Sequence, residues 1–299
     1  MKIELAKTEV IHFIGIGGIG MSGLSLIMKG KGFKVQGSDL SSNKNVERLK
    51  KEKIKIFIGQ KKQNLKNATI IVVSSAIKKN NPEYIEAKRK NLPIISRGKM
   101  LAHIVSLMKN IVVVGSHGKT TTTSLIASIF DKTKLDPTVI NGGVINSIKN
   151  TAKLGKSDWS ILEADESDGS FLKLPINYSI VTNIDYEHID YYKNYQNLET
   201  AFIKFINKTP PTGKSLVCTD NKNLKKILKK IKNKNILSYG FNKKANYKVS
   251  NARYFIDYSL FDLNFKNSKN KREKIKNINL KLVGEHNILN AVSAIAVCL

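Results

Sequence analysis

The segment Gly115-Ser116-His117-Gly118-Lys119-Thr120-Thr121 combines backbone that can close around an anion with a cation and a run of hydroxyls. Glycines let the chain approach a phosphate and aim successive N–H groups at it, Lys119 supplies a full positive charge, and a threonine hydroxyl can ligate Mg²⁺. The usual phosphate-loop spacing asks for a further glycine where this chain has Val113, so the loop is a shorter variant. A second glycine run, Gly15-Ile16-Gly17-Gly18-Ile19-Gly20, has the spacing of a diphosphate-binding turn. Asp39 follows about 20 residues later, where an acid accepts ribose hydroxyls. NAD, a flavin nucleotide and a nucleotide sugar all satisfy these features.

Two acidic clusters could serve a phosphate loop. Glu163-Ala164-Asp165-Glu166-Ser167-Asp168 offers the oxygen ligands that Mg²⁺ prefers when it bridges nucleotide phosphates; a solvated acidic loop is the plain alternative. The second cluster runs from Asn183 to Asp190 and contains Asp185, Glu187 and His188, with His188 a candidate metal ligand or phosphate contact. Further on, Gly284-Glu285-His286-Asn287-Ile288-Leu289-Asn290 sets two amides at a helix start, where Asn287 either caps the helix or reads the edge of an adenine. Of the five histidines, His117, His188 and His286 fall in glycine- or acid-rich turns, whereas His12 and His103 sit in apolar runs and are assigned to packing.

The elements that must position these groups read as α/β. Ile111 to Val114 is a strand, and Leu125, Ile126, Ile129 and Phe130 recur at helical spacing, so the phosphate loop joins a strand to a helix. Strand and helix signals also alternate through the first hundred residues: Val10–Ile14, Met21–Lys31, Lys34–Gln36 leading into Asp39, and Ile70–Val73 leading into Ser74-Ser75. That alternation predicts a parallel sheet covered by helices, with strand ends lining a ligand crevice. A helical stretch over Lys99–Leu107 leads into the second series, in which Trp159–Leu162, Tyr178–Thr182 and Ser215–Cys218 each end in polar residues. Domains are therefore expected over 1–107 and 108–299. Alternation from Tyr247 to Phe265 predicts antiparallel strands at a sheet edge, and the tract Lys266 to Lys276 reads as a hairpin loop.

A formal net charge of +28 over 299 residues suggests a nucleic-acid partner, and a nucleic-acid-coupled ATPase is one reading of the phosphate loop. The lysines are dispersed in surface-like runs without a stacking motif, so solvated faces and no nucleic acid are expected. An NAD-dependent oxidoreductase would use the first glycine run but leave the second loop and both acidic clusters without a task. Cys218 and Cys298 lie in apolar runs and read as buried thiols in a reducing compartment. The apolar stretch 10–28 is interrupted by five glycines, which argues against a membrane span or signal peptide, so a cytoplasmic chain with no membrane partner is expected.

Together, GIGGIGMSG beginning at Gly15, GSHGKTTTT at 115–123, EADESD at 163–168, TNIDYEHID at 182–190 and GEHNILNA at 284–291 resemble, in order and along essentially the whole chain, the Mur ligase family. The resemblance accounts for Val113, since the family uses a shorter GTHGKT-like loop, with Ser116 here where threonine is usual. It implies a Rossmann-like domain that binds a UDP-sugar, followed by a P-loop-type ATP-binding domain. It also implies ATP- and Mg²⁺-dependent joining of L-alanine to the carboxylate of UDP-N-acetylmuramate through an acyl phosphate, in peptidoglycan synthesis. A related enzyme that joins a recycled peptide to the same sugar is the nearest alternative.

By motif position the resemblance assigns Gly115 to Thr121 and both Asn287 and Asn290 to ATP. It assigns Thr120 and Glu166 to one Mg²⁺, and His188 to a second metal or the acyl-phosphate region. Asn183 and Asp185 are assigned to the surroundings of the reacting carboxylate, and Lys119 to charge neutralisation. Gly15, Gly17, Gly18, Gly20, Asp39, Ser74 and Ser75 are assigned to the UDP-sugar. Family members carry a third domain, and the apolar segment Asn290–Leu299 stops without a cap. The expectation is thus a chain of the first two domains, retaining UDP-sugar binding and weak ATP binding with little turnover.

Overall fold

The computed structural model describes residues 5–145 and 150–299. They form two compact units: residues up to Met108 with Pro137–Ser160 and Lys173–Pro175, and Lys109–Asp136 with Ile161–Leu172 and Ile176–Leu299.

The first unit runs β1 (Val10–Ile14), α1 (Ile19–Gly30), β2 (Lys34–Asp39), α2 (Lys44–Lys51), β3 (Lys55–Ile58), β4 (Ile70–Val73), α3 (Pro82–Arg89), β5 (Ile94–Ser96) and α4 (Arg97–Val105). Its strands lie in the order β3-β2-β1-β4-β5, every pairing parallel. Ile11, Phe13 and Ile14 of β1 are all fully buried, as expected of a central parallel strand covered on both faces. The strand order reverses between β1 and β4, and in such sheets the crevice opens at the carboxyl ends of that pair. The glycine turn leaves β1 and Ser74-Ser75 leaves β4 at this point. Helix starts are fixed locally: Asn43 caps α2, Asn81 caps α3 with Pro82 in its first turn, and Ser96 caps α4.

The second unit opens with β6 (Lys109–Val114) and α5 (Lys119–Asp131). An antiparallel pair, β7 (Thr138–Ile145) and β8 (Asn150–Lys153), follows in the chain but clusters with the first unit, packed on α1. The second unit then takes in β9 (Trp159–Glu163) from Ile161 onward. It continues with β10 (Tyr178–Val181), α6 (Ile189–Tyr192), α7 (Tyr195–Asn207), β11 (Lys214–Cys218), α8 (Lys222–Leu228), β12 (Ile236–Gly240), β13 (Tyr247–Tyr254), β14 (Ser259–Lys266), β15 (Arg272–Leu280) and α9 (Glu285–Cys298).

Its sheet order is β15-β14-β13-β12-β11-β10-β6-β9. Pairings from β6 through β10, β11 and β12 to β13 are parallel, and β13, β14 and β15 are antiparallel to one another. β6 thus sits between β9 and β10, and the three polar segments that follow these strands emerge side by side. Phe171, Phe202 and Phe205, all fully buried with ring centroids 5.2 and 5.6 Å from Phe171, anchor α7 beneath this region.

Three local expectations change. The tract Lys266–Lys276 is a loop only over residues 267–271; from Arg272 it is β15, the edge strand. Both its faces are largely solvated, so no alternation marks it, and its lysines protect an edge against further pairing. Cys218 is buried but Cys298, in the last turn of α9, is exposed. His12 is fully buried, yet its ring is hydrogen-bonded to Gln36 and Glu83, so it belongs to a polar cluster and not to apolar packing.

Candidate active site

From Val114, the buried end of β6, the chain turns through Gly115 and Gly118 at φ +138° and +82°, a region costly for residues with a side chain. Space forbids one as well: a Cβ on Gly115 would lie 2.1 Å from Thr182 Oγ1, and one on Gly118 2.5 Å from Asn290 Oδ1. Gly118 is the N-cap of α5 and no side chain caps that helix, so the N–H groups of its first turn, which includes Thr120 and a half-buried Thr121, are left open to an anion. Lys119 Nζ donates to Gly115 O at 2.5 Å and Ser116 O at 3.2 Å, and pairs with Glu166 Oε1 at 2.9 Å.

The segment after β10 clamps this loop. Asn183 Oδ1 accepts from His117 N at 2.7 Å and its Nδ2 donates to His117 O at 2.9 Å, so one amide side chain satisfies both backbone groups of His117. Thr182 Oγ1 also donates to His117 O at 2.6 Å, and Asp185 N donates to Ser116 Oγ at 2.8 Å. The Asp185 carboxylate meets the His117 ring at 3.2 Å, with Glu187 at 3.5 Å, in an exposed pairing worth little stability. Asn183 and Asp185 are therefore engaged with the phosphate loop itself.

The geometry divides the first acidic cluster. Glu163, at the end of β9, presents both carboxylate oxygens 3.0 Å from Thr120 Oγ1. Glu166, only 1% exposed, turns the other way: Oε1 meets Lys119 and, at 3.4 Å, His188 Nε2, while Oε2 is buried without a hydrogen-bond partner among the described residues. Thr120 is thus brought to Glu163 and not to Glu166. A hydroxyl and a carboxylate side by side at the start of α5 are hard oxygen donors that fit Mg²⁺. Ligand atoms of Glu166, Glu187 and His188 also lie within 4.8 Å of one another. Lys119 Nζ reaches the same Glu166 oxygen that faces His188.

His188 takes the left-handed conformation at φ +57°, strained for a non-glycine residue, and this backbone aims its ring at Glu166. Tyr192 donates its hydroxyl to the Glu166 carbonyl; burial above all, then nearby Tyr191 and the acids, pushes that phenol up, so it remains a donor.

Beside the loop is a cleft of about 670 Å³ lined by His117, Gly118, Thr182, Asn183, Asp220, Tyr239, His286, Asn290 and neighbours. Asn290 lies over Gly118, where its side chain leaves no room for a Cβ. Asn287 is not among the lining residues: its amide donates to Val283 O at 2.8 Å, and Gly284 is the N-cap of α9, so Asn287 does not cap the helix either. His286 and Asp220 enter the cleft without having been singled out as ligands; the Asp220 carboxylate accepts from the backbone N–H groups of Phe241 and Asn242.

In the first unit a cleft of about 630 Å³ is lined by Gly15, Gly17, Gly18, Asp39, Ser74, Asn81 and others. Gly20 and Ser75 are outside that lining, and Gly20 packs on Arg97. Asp39 Oδ2 accepts from Gly17 N at 2.7 Å, so the acid anchors the glycine turn as well as facing the cleft.

Residues 10–109 match the Mur ligase family catalytic domain and residues 113–298 the Mur ligase middle domain. This chain belongs to the Mur ligase family. It is 64% identical over 297 residues to the UDP-N-acetylmuramate--L-alanine ligase of Pelagibacter ubique, a match covering 99% of this chain and 64% of that protein. Among solved structures, the UDP-N-acetylmuramate-alanine ligase of Thermotoga maritima matches with 26% identity and a TM-score of 0.81, covering 96% of this chain and 64% of that one. The UDP-N-acetylmuramate:L-alanyl-gamma-D-glutamyl-meso-diaminopimelate ligase from Neisseria meningitides matches with 25% identity and a TM-score of 0.84, over 97% and 93%. The Mur ligase fold agrees with the α/β architecture expected from the motifs. No helix among the described residues is long and apolar enough to cross a membrane.

Proposed function

We propose that this chain carries the nucleotide-sugar and ATP sites of a cytoplasmic ligase that joins L-alanine to the carboxylate of UDP-N-acetylmuramate, with residues 1–107 binding the sugar nucleotide and 108–299 binding ATP. The observation that carries the reading is the convergence of Lys119, Thr120, Glu163, Glu166 and His188 on the uncapped start of α5. In the reaction a carboxylate oxygen attacks the γ-phosphorus and ADP leaves; the alanine amine then attacks the acyl-phosphate carbon, and phosphate departs from the tetrahedral intermediate as the amine gives up its proton.

A carboxylate approaching a polyanion is repelled, so the first step needs positive charge fixed in advance. Lys119 and the loop N–H groups supply it, with Glu166 and His188 holding Lys119 in register and Asn183 holding the loop. Thr120 and Glu163 are the oxygen donors that would hold Mg²⁺, which would supply further positive charge for the phosphates. Of the two amides assigned to the adenine, Asn290 lines the cleft and Asn287 does not, while Gly15, Gly17, Gly18, Asp39 and Ser74 are the groups proposed for the UDP portion.

Likeness to the meso-diaminopimelate peptide ligase favours a second reading, in which the amine comes from a recycled peptide. The 64% identity to an L-alanine ligase supports the first. Incubating the chain with MgATP and UDP-N-acetylmuramate plus either L-alanine or L-alanyl-γ-D-glutamyl-meso-diaminopimelate, and identifying the adduct by mass spectrometry, separates them. Product from the tripeptide alone would overturn the alanine reading.

A further inference from the structure

Behind the first unit's cleft lies a polar cluster whose members, His12, Ser38 and Glu83, are 0% exposed. Glu83 Oε2 accepts from Ser38 Oγ at 2.5 Å and faces His12 Nε2 at 3.4 Å; its Oε1 accepts from Asn64 Nδ2 at 2.6 Å. The Gln36 amide nitrogen lies 3.1 Å from both His12 Nδ1 and the Asn64 carbonyl. An amide N–H₂ only donates, so Nδ1 is the acceptor and Nε2–H points at Glu83. Three donors therefore converge on one carboxylate. Such donors offset the cost of burying a carboxylate.

The cluster connects directly to the backbone of the glycine turn. The same Ser38 whose hydroxyl is held by Glu83 accepts, through its carbonyl, from Gly15 N at 2.8 Å and Ile16 N at 2.9 Å. The next residue, Asp39, accepts from Gly17 N. Glu83 itself lies in the first turn of α3, whose cap Asn81 and first residue Pro82 line the same cleft as the glycine turn. A negative charge there also suits the α3 N-terminus. One buried side chain thus links the strand that holds the glycine turn to the start of a helix that lines the same cleft.

We propose that Glu83 is a positioning residue for the nucleotide-sugar site: by holding Ser38 and the start of α3 together, it sets the width of the cleft and the aim of the glycine N–H groups. This inference rests on the reading of that cleft as the UDP-sugar site. Glutamine is a poor replacement, because its N–H₂ would face the Asn64 amide N–H₂ in one placement and His12 Nε2–H in the other, where only the Ser38 hydroxyl can turn to accept.

The test is calorimetric titration of the 299-residue chain with UDP-N-acetylmuramate and, separately, with MgADP, for the parent, Glu83→Gln, Ser38→Ala and the double variant. Glu83→Gln is expected to weaken the UDP-sugar about tenfold, the equivalent of one buried hydrogen bond to a charged group. Ser38→Ala should weaken it in the same direction, and the double variant no more than Glu83→Gln alone, since both act through one bond. MgADP affinity should stay unchanged. A lowered melting temperature with UDP-sugar affinity at the parental value in both single variants, or additive losses in the double variant, would overturn the positioning role. Ser38→Ala leaves the carboxylate and its other two donors in place, so it keeps the test decisive if Glu83→Gln does not fold. Failure of the parent itself to bind UDP-N-acetylmuramate would instead sink the reading of the cleft.

Discussion

Replacing Asn183 by alanine removes the side chain that answers both backbone groups of His117. Each neutral hydrogen bond contributes about 1 kcal/mol net, so the clamp is worth about 2 kcal/mol. Thr182 still donates to the His117 carbonyl and His117 is exposed, so water can serve the freed N–H and the loss should not exceed this figure. If the phosphate loop must be ordered to bind, up to about 2 kcal/mol is lost from nucleotide affinity, a weakening of up to about 30-fold. Asn183→Asp keeps the acceptor for His117 N but turns an oxygen toward the carbonyl now 2.9 Å from Nδ2, so a nearly isosteric change should cost at least as much as alanine. Aspartate also brings negative charge toward the phosphates, which makes alanine the arm that isolates the clamp. The assay is fluorescence titration with an ATP analogue in saturating Mg²⁺, accompanied by a melting curve without nucleotide. An Asn183→Ala chain with parental affinity and parental melting temperature would refute the clamp.

Lys119→Met should leave Glu166 buried with only His188 beside it, costing on the order of 3 kcal/mol in urea unfolding, with partial recovery in Lys119→Met/Glu166→Gln; equal stability of Lys119→Met and parent would contradict the pairing. Glu163→Gln should raise the Mg²⁺ concentration needed for ATP binding, whereas Glu166→Gln should leave it near the parental value; the reverse order would restore Glu166 as the partner of Thr120. Asp262 is held well below the usual carboxylate range, first by the Lys274 hydrogen bond, then by Asn277 N–H and the Asn251 amide. Its folded value lies below the unfolded one, so the native state binds fewer protons, and its contribution is present above the unfolded value of about 4 and lost as pH falls further. Melting temperature should therefore fall less steeply below about pH 4 in Asp262→Asn than in the parent; parallel curves would exclude Asp262 as a source of acid lability.

The β6–α5 unit was legible because a β-branched run, two glycines and helical spacing sit next to each other, so local rules suffice. That the first sheet is parallel followed from the alternation of strand and helix signals, although its strand order did not. β15 was not legible: a strand solvated on both faces has no period for its lysines to betray. Nor was the choice between Glu163 and Glu166. Three residues apart in one acidic run, they differ in where the chain turns after β9, and that turn sends one toward Thr120 and the other toward Lys119. Asn183 stood out by its motif, but its partner is the backbone of His117, 66 residues away, and a backbone partner leaves no mark in side-chain types. His12 read as packing in an apolar strand, and Glu83, 71 residues away, carried no motif that singled it out until the sheet order brought the two together.

The two glycine turns proposed to hold phosphates each contain a position with no room for a Cβ, Gly118 in one and Gly17 in the other, so the most direct test is a pair of equilibrium titrations on three chains. Gly118→Ala drives a Cβ toward Asn290, and Gly17→Ala drives one to 2.8 Å from Asp39 Oδ2 and 2.6 Å from Asn43 Nδ2. The parent should bind one UDP-N-acetylmuramate and one MgATP without competition, Gly118→Ala should lose MgATP alone, and Gly17→Ala should lose the UDP-sugar alone. Competition between the two ligands in the parent, or retention of MgATP by Gly118→Ala, would contradict the assignment of Gly115 to Thr121 as the ATP site.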